Sequence, residues 1–168
     1  AAPAAAASTG DGATAAAAPA VAAGAAASGA FELGGHVDGL TPNAMSSMRS
    51  AGMTWVKKQL PVSAGLGKGQ EFINDAHGNN FKILIGLVGD KNALAADFEG
   101  YIASFSQFAA SLASAGADAI EVWNEPNIDR EWPVGQINGA SYTQMLAAAY
   151  QAIKAANPNT MVISGAPA

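Results

Sequence analysis

From Phe31 to Ala168 the chain alternates short apolar runs with segments whose apolar residues recur every three or four positions. The runs cover residues 31–38, 54–60, 81–88, 118–124 and 160–164. Strands that alternate with helices call for a parallel sheet joined by right-handed crossovers. This pattern constrains the fold more than any other feature of the chain, because it excludes all-helical and antiparallel architectures together.

The punctuation between the runs is specific. Thr41-Pro42 opens a first helix, with Thr as N-cap and Pro at the first helical position, and Gly52 stops it. Met45, Met48 and Ala51 form its inner stripe. Pro61 cuts off the second strand, and a glycine-rich loop leads to a short helix at about residues 70–76, closed by His77-Gly78. Residues 81–88 are almost continuously apolar, as expected of a strand covered on both faces. Phe98, Tyr101, Ile102, Phe105, Phe108, Ala109 and Leu112 share one broad helical face, ended by Gly116. Ser141-x-x-Gln144 has the form of a capping box for a fourth helix, which stops at Asn157-Pro158.

An open doubly wound sheet is disfavoured, since no G-x-G-x-x-G follows the first strand. A (β/α)8 barrel takes roughly 250 residues, about twice what is present after residue 30. The expected fold is therefore α/β: a TIM-barrel type truncated to about five parallel strands and four helices.

Residues 1–30 are almost wholly Ala, Gly, Ser, Thr and Pro, with Val21 the one large aliphatic side chain. Such a stretch buries too little apolar surface to offset the entropy of ordering it, and reads as a low-complexity linker or tail. Thirteen acids against eight bases give a net charge of −5, without a basic cluster. That balance argues against nucleic acid as a partner. No apolar run approaches the roughly 20 residues that span a bilayer. With no cysteine, thiolate metal sites are excluded. No His, Asp and Glu cluster has metal-ligand spacing and no glycine loop is built to cradle phosphate, so neither metal nor cofactor is expected. Low charge with an acidic, Ala- and Gly-rich make-up fits a secreted or cell-surface protein.

The chemistry concentrates in Trp123-Asn124-Glu125-Pro126-Asn127, directly after the apolar Ala119-Ile120-Glu121-Val122. A strand that ends in Asn-Glu presents a carboxyl at the rim of a parallel sheet, where α/β enzymes work. Taken alone, Asn-Glu-Pro-Asn could also be a polar turn. With Trp attached and the strand fourth in order, the pentapeptide resembles the fourth-strand motif of the retaining glycoside hydrolases of clan A, xylosidase-like and cellulase-like members above all. Gly34-Gly35-His36, Met53-Thr54-Trp55-Val56-Lys57 and residues 81–87 fit the same pattern more generally.

The resemblance implies that Glu125 is the general acid/base and that Asn124 binds the sugar beside the scissile bond. Burial, with Trp123 as apolar neighbour, would raise such a carboxyl toward its working pH. His36 at a first-strand rim either donates to a sugar hydroxyl or is a structural histidine. Trp132 either stacks on a pyranose face or anchors its loop. Of Lys58 and Gln59, at most one points inward. The clan's nucleophile is a second carboxyl about 5–5.5 Å away, at the end of a seventh strand. This chain has five, and Glu121, Asp129 and Glu131 are poor substitutes. Glu121 is expected to share the face of Trp123 and Glu125, deeper in the strand.

The functional expectation is the N-terminal half of a retaining glycoside hydrolase acting on a polysaccharide or oligosaccharide, inactive as this chain alone. The alternative is a non-catalytic structural or assembly subunit of an extracellular surface layer or fibre. Exposed strand edges or the N-terminal tail would then mediate self-association.

Overall fold

The computed structural model describes residues 31–168; the Ala-rich segment, with its expected role as linker or tail, lies outside the described residues. Five strands, β1 (Gly34–His36), β2 (Trp55–Pro61), β3 (Lys82–Val88), β4 (Ala119–Val122) and β5 (Met161–Ser164), form one sheet in sequential order. Every pair is parallel, with Gly86 opposite both Gln59 and Glu121, and Val122 between Leu87 and Ser164. Strict sequential order with right-handed crossovers places the connecting helices on one face.

Those helices are α1 (Pro42–Ser50), α2 (Gly65–Gly78), α3 (Lys91–Ala96), α4 (Phe98–Ser114) and α5 (Gly139–Ala156). Their apolar stripes close over the alternate residues Val56, Leu60, Ile83, Ile85, Leu87, Ile120 and Val122. Ile73, Ile102, Phe105, Leu112, Met145 and Ile153 supply the helical half of the core. Each such side chain, fully buried, contributes ~1.5–3 kcal/mol of transfer free energy. No described helix is long and apolar enough to cross a membrane.

Local signals act as their chemistry dictates. Thr41 accepts the amide of Ala44 at the start of α1, and Gly52 and Gly116 adopt the left-handed φ that follows a helix end. Four expectations need correction. Among the described residues there are five α-helices rather than four, because the exposed Asp90 caps a further one. It caps α3 by accepting the amides of Asn92 and Ala93, and Lys91-Asn92-Ala93-Leu94-Ala95-Ala96 contains good helix formers.

Second, α2 begins at Gly65, inside the expected glycine-rich loop. Gly69 is buried there, and a Cβ on it would run into Leu112 and Leu60. That glycine serves a close helix crossing rather than a turn. Third, the cap of α5 is Asn138, which accepts the amide of Ser141; Ser141 lies inside the first turn instead. The first strand is also shorter than expected, since Phe31 at 88% exposure has no core to join.

Candidate functional site

The opposite face of the sheet carries Gly34, His36, Trp55, Lys57, Leu84, Ala119, Met161 and Ile163 around a cavity of about 410 Å³. Beside it, Lys57 Nζ reaches Glu121 Oε2 across 2.5 Å. The two side chains meet over Gly86, where a Cβ would press on both. Glu121 is only 6% exposed, so the lysine offsets a desolvated carboxylate on the sheet floor. A carboxylate engaged in this way, within the strand rather than at its end, is poorly placed as a nucleophile. Lys58 points to the helical side, where its ammonium donates to the carbonyls of Val37 and Asp38 and lies 5.1 Å from the Phe72 ring. Burial lowers its pKa below the ordinary lysine value. Gln59 is exposed.

The pentapeptide leaves β4 at the C-terminal rim. Strand alternation would put Trp123 on the same side as Glu121. Trp123 instead has φ 70° and lies fully buried on the helical side, with Phe105 at 5.5 Å and Tyr101 at 6.3 Å between ring centroids. Its ring occupies space that a Cβ on Gly89 would take. The expectation that Glu121, Trp123 and Glu125 share a face therefore fails at Trp123, because a left-handed residue breaks the period of two.

Glu125 is also left-handed, at φ 42°, and its amide donates to Ala166 O at 3.2 Å. Bulky or charged residues rarely adopt such angles, and each costs about 1–3 kcal/mol unless its surroundings enforce it. The Glu125 side chain is half-buried, and its Oε2 accepts Nη2 of Arg130 at 2.6 Å. Arg130 also donates from Nε to Glu131 at 3.2 Å. Hydrogen bonds to Glu125 and then Glu131 hold its guanidinium pKa above the ordinary value. The rim thus presents Glu125 within a Glu–Arg–Glu cluster whose arginine is exposed.

The loop that carries Arg130 is anchored from within. Trp132 is 0% exposed, donates from Nε1 to Gln136 O at 3.1 Å, and packs edge-on against Trp123 and Tyr142. It offers no face to a sugar, and of its two expected roles only the loop anchor fits the geometry. Trp123 Nε1 donates to Glu131 O at 3.0 Å, and Lys91 Nζ to Asp129 O at 2.7 Å.

Asn124 is half-buried beside Glu125, and its amide has no hydrogen-bond partner among the described residues. His36 lines the cavity on the open face, to which no residue of the pentapeptide contributes. The structure therefore brings Asn124 and Glu125 together at the rim and leaves His36 and Trp132 elsewhere. His77 sits in the last turn of α2 with Nε2 2.8 Å from Asp118 Oδ2. Among the described residues no group of three or more His, Cys, Asp or Glu side chains could hold a metal.

Sequence reasoning missed Arg130 and Tyr142. Arg130 carried a faint signal as a cation five residues beyond Glu125. Tyr142 carried no signal beyond its place near the start of the fourth helix. Compared with protein-family models and with curated proteins, the chain matches none.

Proposed function

We propose that this domain is the N-terminal half of a (β/α)8 barrel belonging to a retaining glycoside hydrolase. Its substrate would be a polysaccharide or oligosaccharide. Glu125 acts as general acid/base, first protonating the leaving glycosidic oxygen and then deprotonating the attacking water. Asn124, whose side-chain amide has no partner among the described residues, binds the neighbouring sugar. The observation that carries the reading is the placement of Asn124 and Glu125 just past the fourth of five sequentially ordered parallel strands.

A barrel accounts for the charge pair on the open face: Lys57 and Glu121 would line its interior, below the rim. The nucleophile would come from a strand beyond the five described. Secretion or display at a cell surface fits a glycan substrate and the low charge of the chain.

The test is hydrolysis of aryl glycosides by the protein of the whole natural reading frame. Glu125→Gln is expected to lower kcat by about 10²–10⁴-fold, the usual contribution of general acid–base catalysis. Unchanged turnover in that variant, or a frame with no later strand ending in Glu, would sink the reading.

A second reading is favoured by the sheet edges. Among the described residues β1 and β5 are each paired on one side only, and Met161 on β5 is 48% exposed. Unpaired parallel edges invite pairing with another copy, as in an assembly subunit of a surface layer or fibre. Large assemblies by size-exclusion chromatography, together with no hydrolysis, would favour it over catalysis.

A further inference from the structure

We propose that Tyr142 is the positioning residue of Glu125: its hydroxyl ties together the ends of β4 and β5 and thereby holds the turn on which Glu125 sits. The proposal rests on Glu125 being the acid/base group, while the geometry behind it does not depend on that chemistry.

The phenol of Tyr142 donates to Val122 O at 2.8 Å, the last carbonyl of β4. The same oxygen accepts the amide of Gly165 at 2.5 Å, the first residue past β5. One atom therefore bridges the carbonyl immediately before the left-handed Trp123 and the point where the neighbouring strand ends. Gly165 is buried, and a Cβ on it would press on the carbonyls of Val122 and Trp123, so the two strand exits already touch.

From this knot the two segments run side by side. Ala166 O accepts the amide of Glu125 at 3.2 Å, and the amide of Ala168 donates to Asn127 Oδ1 at 2.9 Å. Residues 165–168 thus hold the main chain of Glu125, and Tyr142 holds residues 165–168. Without such bonds nothing on that side enforces φ 42° at Glu125, and a strained conformation relaxes when its surroundings stop determining it.

Tyr142 is itself fixed. It lies in the first turns of α5, whose start is capped by Asn138, and its ring packs edge-on against Trp132 at 5.8 Å. Burial raises its pKa, which keeps the phenol protonated and able to donate to Val122.

Amide hydrogen exchange of the 168-residue chain tests the proposal, with Tyr142→Phe, which deletes only the oxygen, beside Ile153→Val on the same helix as a control for general loosening. Losing the bridge is expected to speed exchange at Gly165 and Glu125 about 3–10-fold relative to Leu87 and Ile120, the factor for a lost hydrogen bond. Ile153→Val is expected to leave that ratio unchanged. Gly165→Ala, which pushes the strand exits apart, should loosen the same two amides and keeps the test open if Tyr142→Phe folds poorly.

In the protein of the whole reading frame, Tyr142→Phe is expected to lower kcat about 10–100-fold at unchanged KM, as for a misplaced catalytic group. Unchanged exchange ratios in both rim variants, or unfolding of both, overturn the proposal. Altered exchange together with full activity of Glu125→Gln would instead leave Tyr142 as a rim clamp and remove the catalytic reading alone.

Discussion

Arg130 and Glu125 form an ion pair of 2.6 Å in which the arginine is 71% exposed and the glutamate half-buried. Exposed pairs are screened and cost side-chain entropy to align, so their net contribution to stability is small. Arg130→Gln is accordingly expected to leave the urea midpoint of unfolding essentially unchanged. A clear drop in the midpoint would mean that the cluster supports the fold.

Lys57 and Glu121 should behave differently, because the carboxylate is buried. Lys57→Met leaves it uncompensated and is expected to cost about 2–4 kcal/mol, below the 3–5 of a fully buried pair because Lys57 is partly exposed. Replacing both, as Lys57→Met with Glu121→Leu, is expected to recover at least half of that loss. A double variant less stable than Lys57→Met alone would contradict this account. Chemical denaturation of the three proteins decides it.

Trp132→Ala is expected to destabilise the domain by about 3–5 kcal/mol, the range for truncating a buried aromatic. A sugar platform would instead lose affinity with little loss of stability. Thermal melting beside carbohydrate titration separates the two, and a destabilisation under ~1 kcal/mol would reinstate Trp132 as a surface residue.

Alkaline stability tests the two half-buried phenols. Burial raises the pKa of Tyr101 and Tyr142 above the ordinary 10.0. Their protonated forms therefore contribute stability that is fully present below pH 10.0 and is lost as pH rises through the folded values. Lys58 has the opposite sign: its pKa is lowered, so the cost of burying its charge is relieved as pH approaches 10.5. The double variant Tyr101→Phe, Tyr142→Phe is expected to lose less stability than the parent as pH rises above about 10. Urea midpoints that fall equally steeply in both proteins would refute it.

The elements most legible in the sequence were those with a single physical cause. The β3 run reads directly, since Ile83, Ile85 and Leu87 are buried and Gly86 lies over the charge pair. The face of α4 is equally plain, because Ile102, Phe105, Ala109 and Leu112 all enter the core. Gly69 misled, because a glycine that admits a close neighbour looks the same in sequence as one that makes a turn.

At the site, the rim position of Asn124 and Glu125 followed from counting strands, but the direction of Trp123 did not. A tryptophan carries no local signal for a left-handed φ; packing against Phe105 and the space above Gly89 enforce it. Tyr142 was hidden for a related reason, since its ring obeys the helical period while its hydroxyl bonds to residues 20 and 23 positions away.

The aromatic row behind the rim makes this region optically addressable. Trp123 and Trp132 lie 5.0 Å apart at 73°, both in the dry interior, whereas Trp55 is half-exposed with Lys82 above its ring. Their near-ultraviolet circular dichroism therefore reports on the strand-end turn, and a quencher dissolved in water reaches Trp55 first. Rearrangement at position 123 can be followed by spectroscopy without attaching any dye.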